Sequence, residues 1–182
     1  MKIVSSKNMN LKSFKARAYR KRAALKKFLK AWQKANPAAA DKTAVKLNKE
    51  VFAETDCLAC SNCCRTMTPT YTEADLKRIS KHLGITRDEF YEKWLYTEKG
   101  TGDLMNTHTP CQFLDLKTNM CSIYEVRPAD CAGFPHLNKK EIVDYTHVFA
   151  ENLHRCPATL RWVEKMEAVA KAEEWVPVKK KK

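Results

Sequence analysis

Four cysteines crowd into one octet, Cys57-Leu58-Ala59-Cys60-Ser61-Asn62-Cys63-Cys64, and four more follow at Cys111, Cys121, Cys131 and Cys156. Thiols this dense hold either a metal or each other. The CxxCxxC spacing suits a metal, because residues three apart in an irregular turn can aim several sulfurs at one point. The ferredoxin-type run C-x2-C-x2-C-x3-C-P uses that spacing for iron–sulfur clusters. In a single-cluster arrangement the fourth ligand comes from far away in sequence. Cys156, followed by Pro157, has that Cys-Pro character, and Cys111, Cys121 and Cys131 are alternatives. The favoured set is Cys57, Cys60, Cys63 and one remote cysteine around a 4Fe–4S cluster, with Cys64 counted among the cofactor-binding thiols.

Zinc is the rival. Four-thiolate zinc sites usually draw on two CxxC pairs from separate knuckles. Here the two pairs overlap, which favours an iron–sulfur cube. Eight cysteines can fill two four-thiolate sites, or one site with spare thiols. Disulfides fit less well. The opening residues, Met1-Lys-Ile-Val-Ser-Ser-Lys-Asn, carry no apolar signal core, and no apolar run of membrane-spanning length occurs. The expected location is therefore cytoplasmic, where thiols stay reduced and available to metals. Adjacent Cys63 and Cys64 also point in different directions and would need disulfide partners from elsewhere.

Other chemistry is sparse. His108, His136 and His154 each lie within five residues of a cysteine and could replace or tune a sulfur ligand, although a loop histidine is more often a plain surface residue. His82 and His147 fall on helices and are assigned nothing. No Gly-rich phosphate loop, HExxH, Walker lysine or GxSxG occurs, and the chain has four glycines in all.

The elements that must position these thiols read as mostly helical. The apolar residues Leu11, Phe14, Ala18, Leu25, Phe28, Leu29 and Trp32 recur at helical spacing, and Asn36-Pro37 ends that helix. Residues 41–55 suit a second helix with Asp41 as N-cap, delivering the chain to Cys57. A third helix starts at Thr72 and stops at Gly84. Thr86-Arg87-Asp88-Glu89 is a capping box for a fourth, whose Phe90 and Trp94 read as core. Residues 112–124 predict two short strands around a turn near Lys117-Thr118-Asn119. Pro128 starts a helical turn that Gly133-Phe134-Pro135 breaks. Ile142, Tyr145, Phe149 and Leu153 are helix-spaced, and Pro157 opens a last helix. The expected fold is mainly α, with a small irregular cysteine-rich, metal-bound core and a short β-hairpin, a small α+β protein.

Charge divides the chain further. The net charge is +13, yet residues 1–36 hold twelve Lys or Arg and no acid, and 179–182 add four lysines. Taking these sixteen from 34 leaves 18 basic against 21 acidic residues in 37–178. The expected organisation is a basic amphipathic helical extension at 1–37, a cysteine-cluster metal-binding domain at 38–175 and a basic disordered tail at 176–182. Residues 9–35 form either a solvated basic face over a packed stripe or a contact for nucleic acid or an acidic protein.

Four blocks together carry a resemblance: Cys57-Leu-Ala-Cys-Ser-Asn-Cys-Cys64, Pro110-Cys-Gln-Phe-Leu114, Cys121-Ser-Ile-Tyr-Glu-Val-Arg-Pro128 and Cys131-Ala-Gly-Phe-Pro135. In this order, over about residues 54–160, they resemble the YkgJ-type CxxCxxCC cysteine-cluster family, a zinc- or iron-chelating domain. Flagellin lysine methylases are distantly similar through the same cysteine motif, but their activity is not carried across. Ala132 departs from the pattern, which usually has arginine there. The resemblance implies a metal centre at the cysteines and supplies no substrate. Within the matched block Tyr124, Arg127 and Asp130 are the polar candidates. Arg127 could hydrogen-bond a sulfur or a carboxylate near the cluster, or merely cap a turn.

The leading expectation is a bacterial-type metalloprotein whose cluster is structural, redox or accessory. A zinc-stabilised binding module using the basic helix is the alternative. A protein-modifying enzyme is the third reading, and whether there is catalysis stays open.

Overall fold

An alanine-diluted, proline-free stretch forms the first helix, α1 (Leu11–Ala35), in the computed structural model, which describes residues 10–175. The lysine tail and Met9 lie outside the described residues. The chain divides into two units, one running up to Asp56 and resuming at Pro135, the other spanning Cys57–Phe134.

The first unit is helical. Asn10 caps α1 by accepting the Ser13 N–H at 2.9 Å. Asn36 ends it in the left-handed region at φ 38°, which asparagine tolerates better than most residues. After it come α2 (Ala40–Ala53), a 3-10 turn at Ile142–Tyr145 and the later helices named below. Asp41 does not act as the expected N-cap: Ala39 holds that position, and α2 has no side-chain cap. The Asp41 carboxylate instead accepts the N–H groups of Glu141 and Ile142, each at 2.9 Å. Its partners lie about a hundred residues along the chain, beyond the reach of a local capping rule.

The second unit carries the cysteines. Its elements are α3 (Cys57–Cys60), α4 (Asn62–Thr66), β1 (Thr70–Tyr71), α5 (Glu73–Leu83), α6 (Arg87–Trp94), β2 (Leu95–Thr97), β3 (Leu104–Asn106) and α7 (Ala129–Gly133), with a 3-10 turn at Tyr124–Val126. Both α5 and α6 start with reciprocal capping boxes, Thr72 with Asp75 and Thr86 with Glu89. Gly84 closes α5 at φ 70°, where a side chain would be strained. The strands form an antiparallel sheet in the order β1-β3-β2, pairing Thr70 with Met105 and Tyr96 with Met105.

The hairpin expected at 112–124 reduces to a single bridge between Leu114 and Cys121. Asp115 turns the loop there, its side chain taking the N–H of Lys117 at 2.8 Å and of Thr118 at 3.3 Å. The true hairpin is β2 with β3. Strands of two or three residues are too short to show an alternating pattern. The core of this unit is Tyr71, Leu76, Ile79, Phe90, Leu95, Phe113 and Ile123. Phe90 stacks on Phe113 at 6.1 Å and meets Trp94 edge-on at 5.3 Å, so this aromatic pair is core as expected.

The first unit closes with α8 (Thr146–Asn152) and α9 (Pro157–Ala172). The α1 stripe of Phe14, Ala18, Leu25, Phe28, Leu29 and Trp32 is buried, and α1 packs on α8 and α9. Trp32 and Trp162 are fully buried and meet edge-to-face at 6.1 Å, while the Trp162 indole N–H donates to the Ala44 carbonyl at 3.2 Å. Removing a buried Trp of this kind costs about 3–5 kcal/mol. Among the described residues no helix is long and apolar enough to cross a membrane.

Candidate metal centre

The octet is not one irregular turn but two short helical turns broken at Ser61, which sits at φ 42°. The Ser61 N–H closes the first turn on the Cys57 carbonyl at 2.9 Å, and the Met67 N–H closes the second on Cys63 at 2.8 Å. Cys60 is buried, Cys57 is exposed, and Cys63 and Cys64 are half-buried with sulfurs 3.9 Å apart. That contact holds the Cys64 thiol down to about 7; burial opposes the shift, while the nearby Arg65 charge assists it.

Three downstream cysteines share the field of Cys64. The Cys111 N–H donates to the Cys64 carbonyl at 2.8 Å, which ties the Pro110 block to the octet. Burial raises the Cys111 thiol, and negative charge on Cys64 and Cys121 raises it further. Cys121, at the Leu114 bridge, is raised by burial and then by Cys64, while the Arg127 charge lowers it. Cys131, on α7, keeps solvent-accessible surface, yet the protein mass around it desolvates the thiolate and pushes it well up. Charge on Cys64, Asp130, Cys111 and Cys121 adds to that shift. Each thiolate therefore makes the next harder to form, and a cation among them reverses the sign. Soft sulfur donors of this number suit zinc or an iron–sulfur cluster, so the donor chemistry fits a metal. Among the described residues no three Cys, His, Asp or Glu side chains stand in ready metal-coordinating geometry.

All eight cysteines are thiols. Seven belong to the second unit; Cys156 is buried in the helical unit as the residue before Pro157, where its carbonyl accepts the Leu160 N–H at 3.1 Å.

Residues 56–151 match the model of the CxxCxxCC family, described as "Putative zinc- or iron-chelating domain". The chain belongs to the CxxCxxCC family. This is a metal-binding family, in line with the thiol set. A curated relative, an uncharacterized protein of Methanocaldococcus jannaschii, is 38% identical over 81 residues, covering 44% of this chain and 43% of the relative. The chain therefore spans less than half the length of that relative. No solved structure matches.

Several supports of the CxxCxxCC site have no signature in the sequence. Arg65 donates to the Leu116 carbonyl at 3.1 Å and to the Asn119 side chain, which also accepts from the Ser61 hydroxyl at 2.9 Å. This bracket fixes the 115–121 loop against the octet. Asn106, buried, donates to the Cys111 sulfur at 3.5 Å while accepting from Tyr71 at 2.6 Å and Gln112 at 3.0 Å. Burial raises the Tyr71 hydroxyl, and charge on Cys111 and Cys131 raises it further. Asp130 accepts the Thr70 N–H at 3.1 Å, which holds α7 to β1. Arg127 caps its own turn, donating to the Tyr124 carbonyl at 2.6 Å and lying over the Tyr124 ring at 3.9 Å, while its charge reaches Cys121. The hydrogen bond of that arginine is thus the turn-capping one, and its effect on Cys121 is one of charge alone. His108 is exposed and bonds Thr107 at 2.8 Å, and burial lowers His154.

Proposed function

We propose that the chain is a cytoplasmic metalloprotein that holds a 4Fe–4S cluster, with Cys64, Cys111, Cys121 and Cys131 as its central thiols. Cys57, Cys60 and Cys63 supply the adjoining octet. One observation carries this reading: the Cys111 N–H donates to the Cys64 carbonyl at 2.8 Å, and charge on Cys64 raises the thiols of Cys111, Cys121 and Cys131. Their mutual repulsion costs free energy whenever more than one ionises, and a bound cationic centre removes that cost. The cluster supplies either electron storage or cross-linking of loops too short to make a core. Overlapping CxxC spacing favours the cluster over zinc.

The test is anaerobic purification followed by metal analysis and visible absorption. Brown protein with about four irons and four labile sulfides per chain supports the reading. Colourless protein with stoichiometric zinc would overturn it in favour of a zinc-stabilised module.

A further inference from the structure

We propose that the outer face of α1 docks single-stranded nucleic acid, with Lys12, Arg20, Lys27, Lys30 and Lys34 on phosphates and Tyr19 stacked on a base. At 100° per residue these six positions fall on the side of the helix opposite Phe14, Ala18, Leu25 and Trp32, which are buried. All six are exposed, Tyr19 to 87%.

Three of the flanking cations are already engaged within the helical unit. Arg17 meets Glu164 at 2.9 and 2.6 Å, Lys21 meets Glu164 at 2.8 Å, and Lys26 meets Glu151 at 2.8 Å. The five cations of the outer face have no ion-pair partner among the described residues. Residues 1–36 hold no acid, so no carboxylate can pair with them along the helix. Lys27, Lys30 and Lys34 follow at steps of three and four, where like charges sit side by side and weaken the helix. An anion on this face removes that repulsion.

The kind of anion follows from Tyr19. Ala16 and Ala23 lie one turn to either side of Tyr19, beside the longer Lys15 and Arg22, and the ring keeps its exposure among these cations. A tyrosine exposed on a cationic stripe is the pairing that single strands use, with the groove of charge tracking the backbone and the ring taking a base face. Duplexes keep their bases stacked inside, and an acidic peptide has no use for the ring. The stripe from Lys12 to Lys34 spans roughly 33 Å at 1.5 Å per residue, long enough for several nucleotides.

The test uses the full chain and fluorescence anisotropy with labelled 20-nucleotide oligouridylate and oligothymidylate, against a duplex and polyglutamate as competitors. The expected log K against log salt slope for five phosphate contacts is about −3.5, and Lys27→Gln with Lys30→Gln brings it to about −2.1. Tyr19→Ala is expected to weaken single-strand binding about tenfold, with metal content and thermal unfolding unchanged. No binding at low salt, duplex or polyglutamate binding as tightly as the single strand, or an unaltered Tyr19→Ala affinity would each overturn the proposal. Because the variants lie on α1, a failure here leaves the metal reading untouched.

Discussion

The backbone carbonyl of Cys64 accepts the N–H of Cys111 at 2.8 Å. Through this bond the octet and the first downstream cysteine are placed by main chain rather than by side-chain rotamers. Cys131 is placed instead by two side-chain carboxylates. Asp75 accepts the Ala129 N–H at 3.0 Å and Asp130 accepts the Thr70 N–H at 3.1 Å, so the short helix carrying Cys131 is held at its start.

Thiol reactivity should follow the electrostatic order. In metal-stripped protein at pH 7, Cys64, held down to about 7, is expected to alkylate first. Cys131, pushed up by burial and neighbouring charge, should lag behind. Pulsed iodoacetamide labelling read by mass spectrometry checks this. Cys63→Ala removes the contact that does most to lower the Cys64 thiol and should slow Cys64 labelling severalfold. Equal labelling rates at Cys64 and Cys131 would contradict the geometry.

Asp75 should govern part of the acid limb of stability. Burial pushes its carboxyl up, but hydrogen bonds from the Thr72 N–H and hydroxyl, Arg78 and Ala129 outweigh that and hold it below the ordinary value. A depressed folded value contributes stability above the unfolded value near ~3.9, which is lost as pH falls through the folded value. Asp75→Asn should cost about 1–3 kcal/mol at pH 7 and flatten the decline below about pH 4. Urea melts at several pH values measure both effects; identical acid limbs would refute the assignment.

Asn119 should separate backbone strain from side-chain bonding. It sits at φ 62° and accepts from Ser61 and Arg65. Asn119→Gly loses the acceptor without strain, whereas Asn119→Ala adds about 1–2 kcal/mol of left-handed backbone cost. Both variants should release metal to a chelator faster than the parent, and Ala should be the less stable of the two in thermal unfolding. Metal release at the parental rate in both would show that the Arg65 bracket does not hold the site.

What the sequence makes legible is local. The Thr86 capping box, the Gly84 stop and Pro157 at the first turn of α9 each depend on residues within one helical turn, and each appears where the spacing predicts it. Asp41 fails because its partners, Glu141 and Ile142, are distant in sequence. The β1-β3-β2 sheet escapes notice because β1 has two residues and β2 and β3 three each. The cysteine motif points to a metal family, as the match over 56–151 shows. Which thiols share one field is a tertiary property: the Cys64–Cys111 backbone bond and the Asp75 and Asp130 anchors join segments that lie far apart in sequence.

The most direct test of the central claim is iron and labile sulfide per chain in anaerobically purified Cys121→Ala and Cys131→Ala proteins beside the parent. The account predicts about four of each in the parent and a loss of more than half in both variants, with visible absorption falling in step. Parental iron and absorption in both variants would contradict it.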